Sequence, residues 1–191
     1  MFKRVAPLTA MAALVAAAAF AQAPGTGIAA NLQGQYAGIK GNLTAAAEAM
    51  PAGSYGYKPG TTPEARTYAQ AIGHVANAQF GQCSGATGAA NPNQGTNLEE
   101  LTAKADLVKA LADSFAVCDA AFDSLTDASA LEVMSGGRGG PAARAVGLYG
   151  MIVHSNEMYG TIAAYLRAND IVPPSTANRG RGRGGRGGRG Q

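Results

Sequence analysis

The sequence predicts an all-α protein, a four-helix bundle with up-down-down-up connectivity and long crossover connections. Three observations carry this. Four stretches place apolar residues at alternating three- and four-residue steps, the stripe of a helix that buries one face. No stretch shows the period-two alternation of a half-buried strand. The two cysteines, Cys83 and Cys118, both fall towards the C-terminal ends of their stripes, the second and third.

Ahead of the bundle, Lys3 and Arg4 precede an apolar, Ala-rich run over 5–20, and Ala19-Phe20-Ala21 has the small-x-small pattern of a cleavage site. This reads as a signal peptide over 1–21, with the mature chain starting at Gln22 and a linker over 22–30. The expected location is periplasmic or secreted. The formal net charge of +3 hides an asymmetry. Two of the 15 Lys and Arg lie in the leader and five in the last stretch, leaving eight against 12 acidic residues in the body. The basic balance therefore belongs to the tail and says nothing about the folded surface.

The first stripe is Leu32, Tyr36, Ile39, Leu43, Ala46 and Met50, and it stops before Pro51 as a helix should. A loop over 51–62 follows, with Tyr55, Tyr57 and Pro59. Thr62-Pro63-Glu64 reads as the start of the second helix, with a threonine cap and proline in the first turn. Its stripe is Tyr68, Ile72, Val75, Gln79 and Cys83, with His74 beside it, and Gly85 and Gly88 end it. A polar connection reaches Asn97. Thr96-Asn97-Leu98-Glu99 has the spacing of a capping box before the third stripe, which runs from Leu107 to Leu125 and ends at Asp127. A second Gly-rich connection leads to Pro141, expected in the first turn of the fourth helix. That helix runs to about Asn169 along Ala145, Leu148, Ile152, Ser155, Tyr159, Ile162 and Leu166, and Pro173-Pro174 closes the domain over 31–177.

An even cysteine count in an exported chain makes a disulfide the default. A short turn would run helices two and three antiparallel and leave Cys83 roughly 20 Å from Cys118 at 1.5 Å per residue. A bridge tolerates about 4.4–6.8 Å between Cα atoms. A crossover that makes the two helices parallel brings both cysteines to one level. The up-down-down-up order follows, conditional on the bridge. The tail over 178–191 is Arg/Gly repeat with nothing apolar to bury, which predicts disorder. Its charge suits an anionic envelope polymer or lipid; export argues against a nucleic-acid partner.

Met50-Pro51, Tyr55-x-Tyr57-x-Pro59, Thr62-Pro63-Glu64-x-Arg66-Thr67-Tyr68 and His74 resemble the first half of DinB-like proteins. Tyr159-Gly160, Tyr165-Leu166-Arg167 and 171–175 resemble the end of their exported members. The resemblance implies the same four-helix topology. It also implies a divalent metal held by three histidines, one on helix two and two in His-x-x-x-His on helix four; characterised relatives include thiol-dependent S-transferases, and an enzyme here would be one of these or a metal-dependent hydrolase. Carried over, His74 matches the first ligand and His154 the second, while Met158 stands at the third. A neutral thioether is a poor ligand for zinc, nickel or manganese. Glu157 lies about 100° round the helix from Met158, and Asn77, one turn after His74, is a candidate outer-shell group.

Three readings stay open: a weakened metal site with surviving chemistry, a non-catalytic envelope or ligand-binding bundle without metal, and a His/Met site for Cu(I). The partner expected in each enzyme or binding case is a small molecule of unspecified identity, and a homodimer is compatible with the sequence. There is no Cys-x-x-Cys-His for haem and no phosphate-binding loop.

Overall fold

The computed structural model describes residues 25–135 and 140–184, with side chains to 179. The expected signal peptide, its cleavage site and the end of the tail lie outside these residues. Four long helices form the body: α1 (Ile28–Ala49), α2 (Tyr68–Thr87), α3 (Lys104–Asp123) and α4 (Arg144–Ala168). A short helix α5 (Pro174–Gly184) follows, and a two-residue antiparallel ladder pairs β1 (Val133–Met134) with β2 (Ala142–Ala143).

The four stripes form one core. Leu43, Ala46, Met50, Tyr68, Ile72, Val75, Leu107, Cys118, Leu148, Met151, Ile162 and Leu166 are all fully buried. Each large side chain among them contributes about 1.5–3 kcal/mol relative to exposure. Helix directions are read from cross-helix pairs. Cys83 and Cys118 are bridged with Cα atoms 5.1 Å apart, and Ser114 Oγ donates to Gln79 Oε1 at 2.8 Å. The same four-residue step on both helices makes α2 and α3 parallel. Gln33 reaches the Phe122 carbonyl, while Lys104 reaches that of Glu48, so α1 and α3 are antiparallel. Tyr165 Oη donates to Arg66 O near the start of α2, and Gly147 meets Ala86 near its end, so α2 and α4 are antiparallel. The order is up-down-down-up. Around the bundle α1 packs on α3 and α4, and α2 packs on α3 and α4. Hence α1 lies diagonally across from α2.

Buried polar groups tie the layers together. Gln79, Ser114 and Ser155 are fully inaccessible, and Gln79 joins the other two from α2 to α3 and α4. Tyr36 Oη donates to Asp119, which also pairs with Lys40 at 2.7 Å, so α1 and α3 share a half-buried ion pair. Tyr36 is pushed far above the usual phenol range, by burial first and then by the Asp119 carboxylate that its hydroxyl bonds.

Several boundaries differ from the sequence reading, each for a local reason. Helix α1 begins at Ile28, within the expected linker, because Asp127 caps it from the far end of α3: its Oδ1 accepts from Ala29 N at 2.8 Å. A Cβ at Gly27 would lie 2.6 Å from that oxygen, so any larger residue there must displace the Asp127 carboxylate that caps the helix. Helix α2 begins at Tyr68 and not near Thr62. Thr67 and Gln70 form a reciprocal capping box, and Tyr68 N and Ala69 N are held by the carbonyls of Tyr57 and Tyr55. Its end is at Gly88, in the left-handed region at φ 74°, and Gly85 sits inside the helix. Helix α3 stops at Asp123, four residues short of the expected Asp127. Pro141 precedes α4, which is delayed to Arg144 by the β1–β2 ladder and by the Arg144 N to Glu132 O bond. Finally, the chain expected to be unstructured from Asn178 is helical to Gly184. Pro174 pre-sets the first turn, and Ser175 N is held by Tyr159 Oη at 2.9 Å.

Candidate functional site

His74 on α2 and His154 on α4 face one another across the antiparallel pair, with their Nε2 atoms 3.2 Å apart. Behind His74, Glu99 Oε1 lies 2.7 Å from Nδ1, and Arg66 Nε donates to the other carboxylate oxygen at 2.9 Å. In the neutral ring the Nδ1–H of His74 donates to Glu99, which leaves the Nε2 lone pair facing His154.

Glu99 sits on a short turn, 98–100, packed directly on α2. Gly73 makes that possible: a Cβ there would fall on the Leu98 carbonyl, with Leu98 C at 2.6 Å and Glu99 N at 2.9 Å. Asn77 spends its amide on the segment that leads into the turn. Its Oδ1 accepts from Leu98 N and from Asn93, and its Nδ2 donates to Asn97, so it moors the turn that carries Glu99. The expected capping box is also re-used. Asn97 caps the turn, through its side chain to Glu99 N, and the Glu99 carboxylate is spent on His74.

Burial pushes the Glu99 carboxyl up, but hydrogen bonds and charge from Arg66 and His74 outweigh it and hold the group below its ordinary 4.5. A depressed folded value means a stabilisation fully present above the ordinary value and lost as pH falls through the folded one. Glu99→Gln is expected to cost about 1–2 kcal/mol at neutral pH, the scale of a charge-assisted hydrogen bond. The difference from wild type should shrink as pH falls below 4.5. Urea denaturation at stepped pH checks this; a constant difference would exclude the charge effect.

The residues fit two of the three nitrogen positions that the resemblance implies. Two nitrogens bound tetrahedrally to one zinc at about 2.0–2.1 Å stand about 3.3 Å apart, close to the His74–His154 spacing. A carboxylate on the remote ring nitrogen of a ligating histidine is the usual orienting group. The third position does not fit. Met158 is packed in the apolar core, and Glu157 is exposed on another face of α4. Among the described residues, no group of three or more His, Cys, Asp or Glu is placed to hold a metal.

The histidine pair ends a groove of about 790 Å³ between α2 and α4, flanked at its other end by Met134, Ala142 and Ala143 of the β1–β2 ladder. Much of its wall is small, with Ala78, Gly81, Gly85 and Ala86 on one side and Gly147 and Gly150 on the other, while Gln82 and Val146 are the larger side chains among them. Arg144 lines the far end. Neither the groove nor Arg144 was expected from the sequence, in which these glycines read only as weak helix formers.

Among solved structures, the chain is similar to a DinB-like protein from Bacillus cereus ATCC 10987. The TM-score is 0.62 at 15% identity, over 75% of this chain and 93% of that one. It is also similar to a conserved protein from Enterococcus faecalis, with a TM-score of 0.59 at 14% identity, over 74% of this chain and 96% of that one. At such identities the likeness is one of fold. No curated protein matches the chain. The family model of the DinB superfamily matches residues 35–162, well over half of the chain. The chain belongs to the DinB superfamily.

Proposed function

We propose that this is an exported DinB-superfamily protein whose His74 and His154 keep a two-imidazole form of the family's divalent-metal site at the end of a small-molecule groove. The 3.2 Å approach of the two Nε2 atoms carries the reading. A bound zinc, nickel or manganese would supply Lewis acidity and an activated water. Glu99 would fix the ring of His74, Arg66 would keep Glu99 ionised, and the groove would hold the reactant beside the pair. The hydrolase or thiol-dependent transferase chemistry implied by the resemblance is the class such a site would serve.

Titration calorimetry of the mature protein tests this. Wild type should take up zinc, nickel or manganese weakly, His154→Ala not at all, and Met158→His at least tenfold more tightly, because it restores the third nitrogen. A wild type that stays empty with all three metals sinks the proposal. If Met158→His then creates a tight site alone, the groove supports the second reading, a non-catalytic binding bundle. Copper(I) titration of Met158→Ala against wild type tests the soft-metal reading, which an unchanged affinity would remove. Export and the attraction of the Arg/Gly tail to an anionic envelope polymer or lipid belong to the same proposal and rest on the leader and tail composition.

A further inference from the structure

We infer that the α2–α4 groove is a site for a small apolar carboxylate, whose anionic head is taken by Arg144 and whose body lies along the glycine-lined walls towards the histidines. This deepens the reading of the groove as a ligand site, and it stands independently of whether metal is bound.

Three observations support it. First, the groove has a volume of about 790 Å³, within the range of small-molecule sites. Gly81 and Gly150 have nothing within 4 Å of a Cβ position, so side chains could have filled the groove without collision. Second, Arg144 is placed but only partly used. Its side chain is 16% exposed, and Nη2 meets both the exposed Glu132 carboxylate and Met134 Sδ. Its Nε is buried with no hydrogen-bond partner among the described residues. With Nε enclosed and Nη2 on Glu132, the groove is offered the remaining edge of the guanidinium, whose N–H donors suit a carboxylate oxygen. Third, the end of the groove around Arg144 offers helix N–H groups beside that residue. It includes the first turn of α4, where Arg144 N is taken by the Glu132 carbonyl and no side-chain cap occupies the N–H groups that follow. The acidic groups nearby are both engaged: Glu132 on Arg144 itself, and Glu99, at the opposite end, on Arg66 and His74. Arg144 and His154 are ten residues apart on α4, about 15 Å along the axis at 1.5 Å per residue. A ligand with one charged head and a short apolar chain spans part of that length; a second anionic group is not called for at the histidine end, where Glu99 sits.

The test uses hexanoate and its uncharged isostere hexanamide, titrated against full-length mature protein and followed by NMR, with and without EDTA. Wild type should bind hexanoate at least tenfold more tightly than hexanamide in both conditions. Arg144→Gln should abolish that preference, and His154→Ala should leave it intact. Gly150→Leu should block both probes while the thermal midpoint holds or rises, because the position is open and leucine is the better helix former. Equal binding of the two probes, absence of binding, a preference that survives Arg144→Gln, or undiminished binding in Gly150→Leu would each overturn the inference. A protein that takes up no metal yet prefers hexanoate would retire the metal reading and leave the carboxylate site standing.

Discussion

Removing the bridge with Cys83→Ala and Cys118→Ala together is expected to lower the free energy of unfolding by about 4 kcal/mol. The bridge closes a loop of 35 residues, and cutting it returns that closure entropy to the unfolded chain. Both cysteines are fully buried in the core, so the double replacement also loses packing. Against a total of about 5–15 kcal/mol for a domain, this is a large fraction. Urea denaturation with a free fit of the m-value separates the two contributions, since a more expanded unfolded state raises the slope. A change below about 1 kcal/mol would mean that the unfolded chain gains little freedom when the bridge is cut.

Gly73→Ala is expected to cost about 1–3 kcal/mol, the range for forcing a methyl into a filled interface. The new Cβ meets backbone, the Leu98 carbonyl group and Glu99 N, which cannot swing aside as a flexible side chain would. The 98–100 turn must back away from α2, and Glu99 retreats from His74 with it. The variant should therefore do two things at once: lower the thermal midpoint and weaken metal uptake relative to wild type. Gly81→Ala serves as control, because its Cβ meets nothing within 4 Å. Loss of stability with undiminished metal uptake would show that Glu99 does not orient the ring.

The bundle was largely legible because its stripes are regular. Leu32 to Met50 and Leu107 to Phe122 repeat at helical steps and all turn inward. The parallel course of α2 and α3 was legible as well, since bridge geometry admits few arrangements of Cys83 and Cys118. Of the site, the histidines could be named and Glu99 could not. Thr96-x-x-Glu99 satisfies a local capping pattern, and nothing in its neighbourhood announces a partner 25 residues earlier on another helix. The start of α2 misled for a similar reason. Thr62-Pro63 and Thr67-Tyr68 both offer a cap, and the choice fell to backbone bonds from Tyr55 and Tyr57 that no local pattern encodes. The groove is made of absent side chains, which a search for chemistry-bearing residues passes over.

The diagonal placement of α1 and α2 also governs how the chain can assemble. In a bundle whose successive helices are neighbours, a hairpin can form as soon as two of them exist. Here α1 packs chiefly on α3 and α4, with a lighter contact to α5, and α4 begins nearly a hundred residues after α1 ends. Contacts of that separation incur loop-closure entropy before they return any stabilisation, which slows folding relative to local topologies. A chain emerging from its N-terminus therefore leaves the apolar face of α1 uncovered until α3 arrives, and only partly covered until α4 does. Bridge formation between α2 and α3 can come earlier, and would then act as a staple that shortens the remaining search.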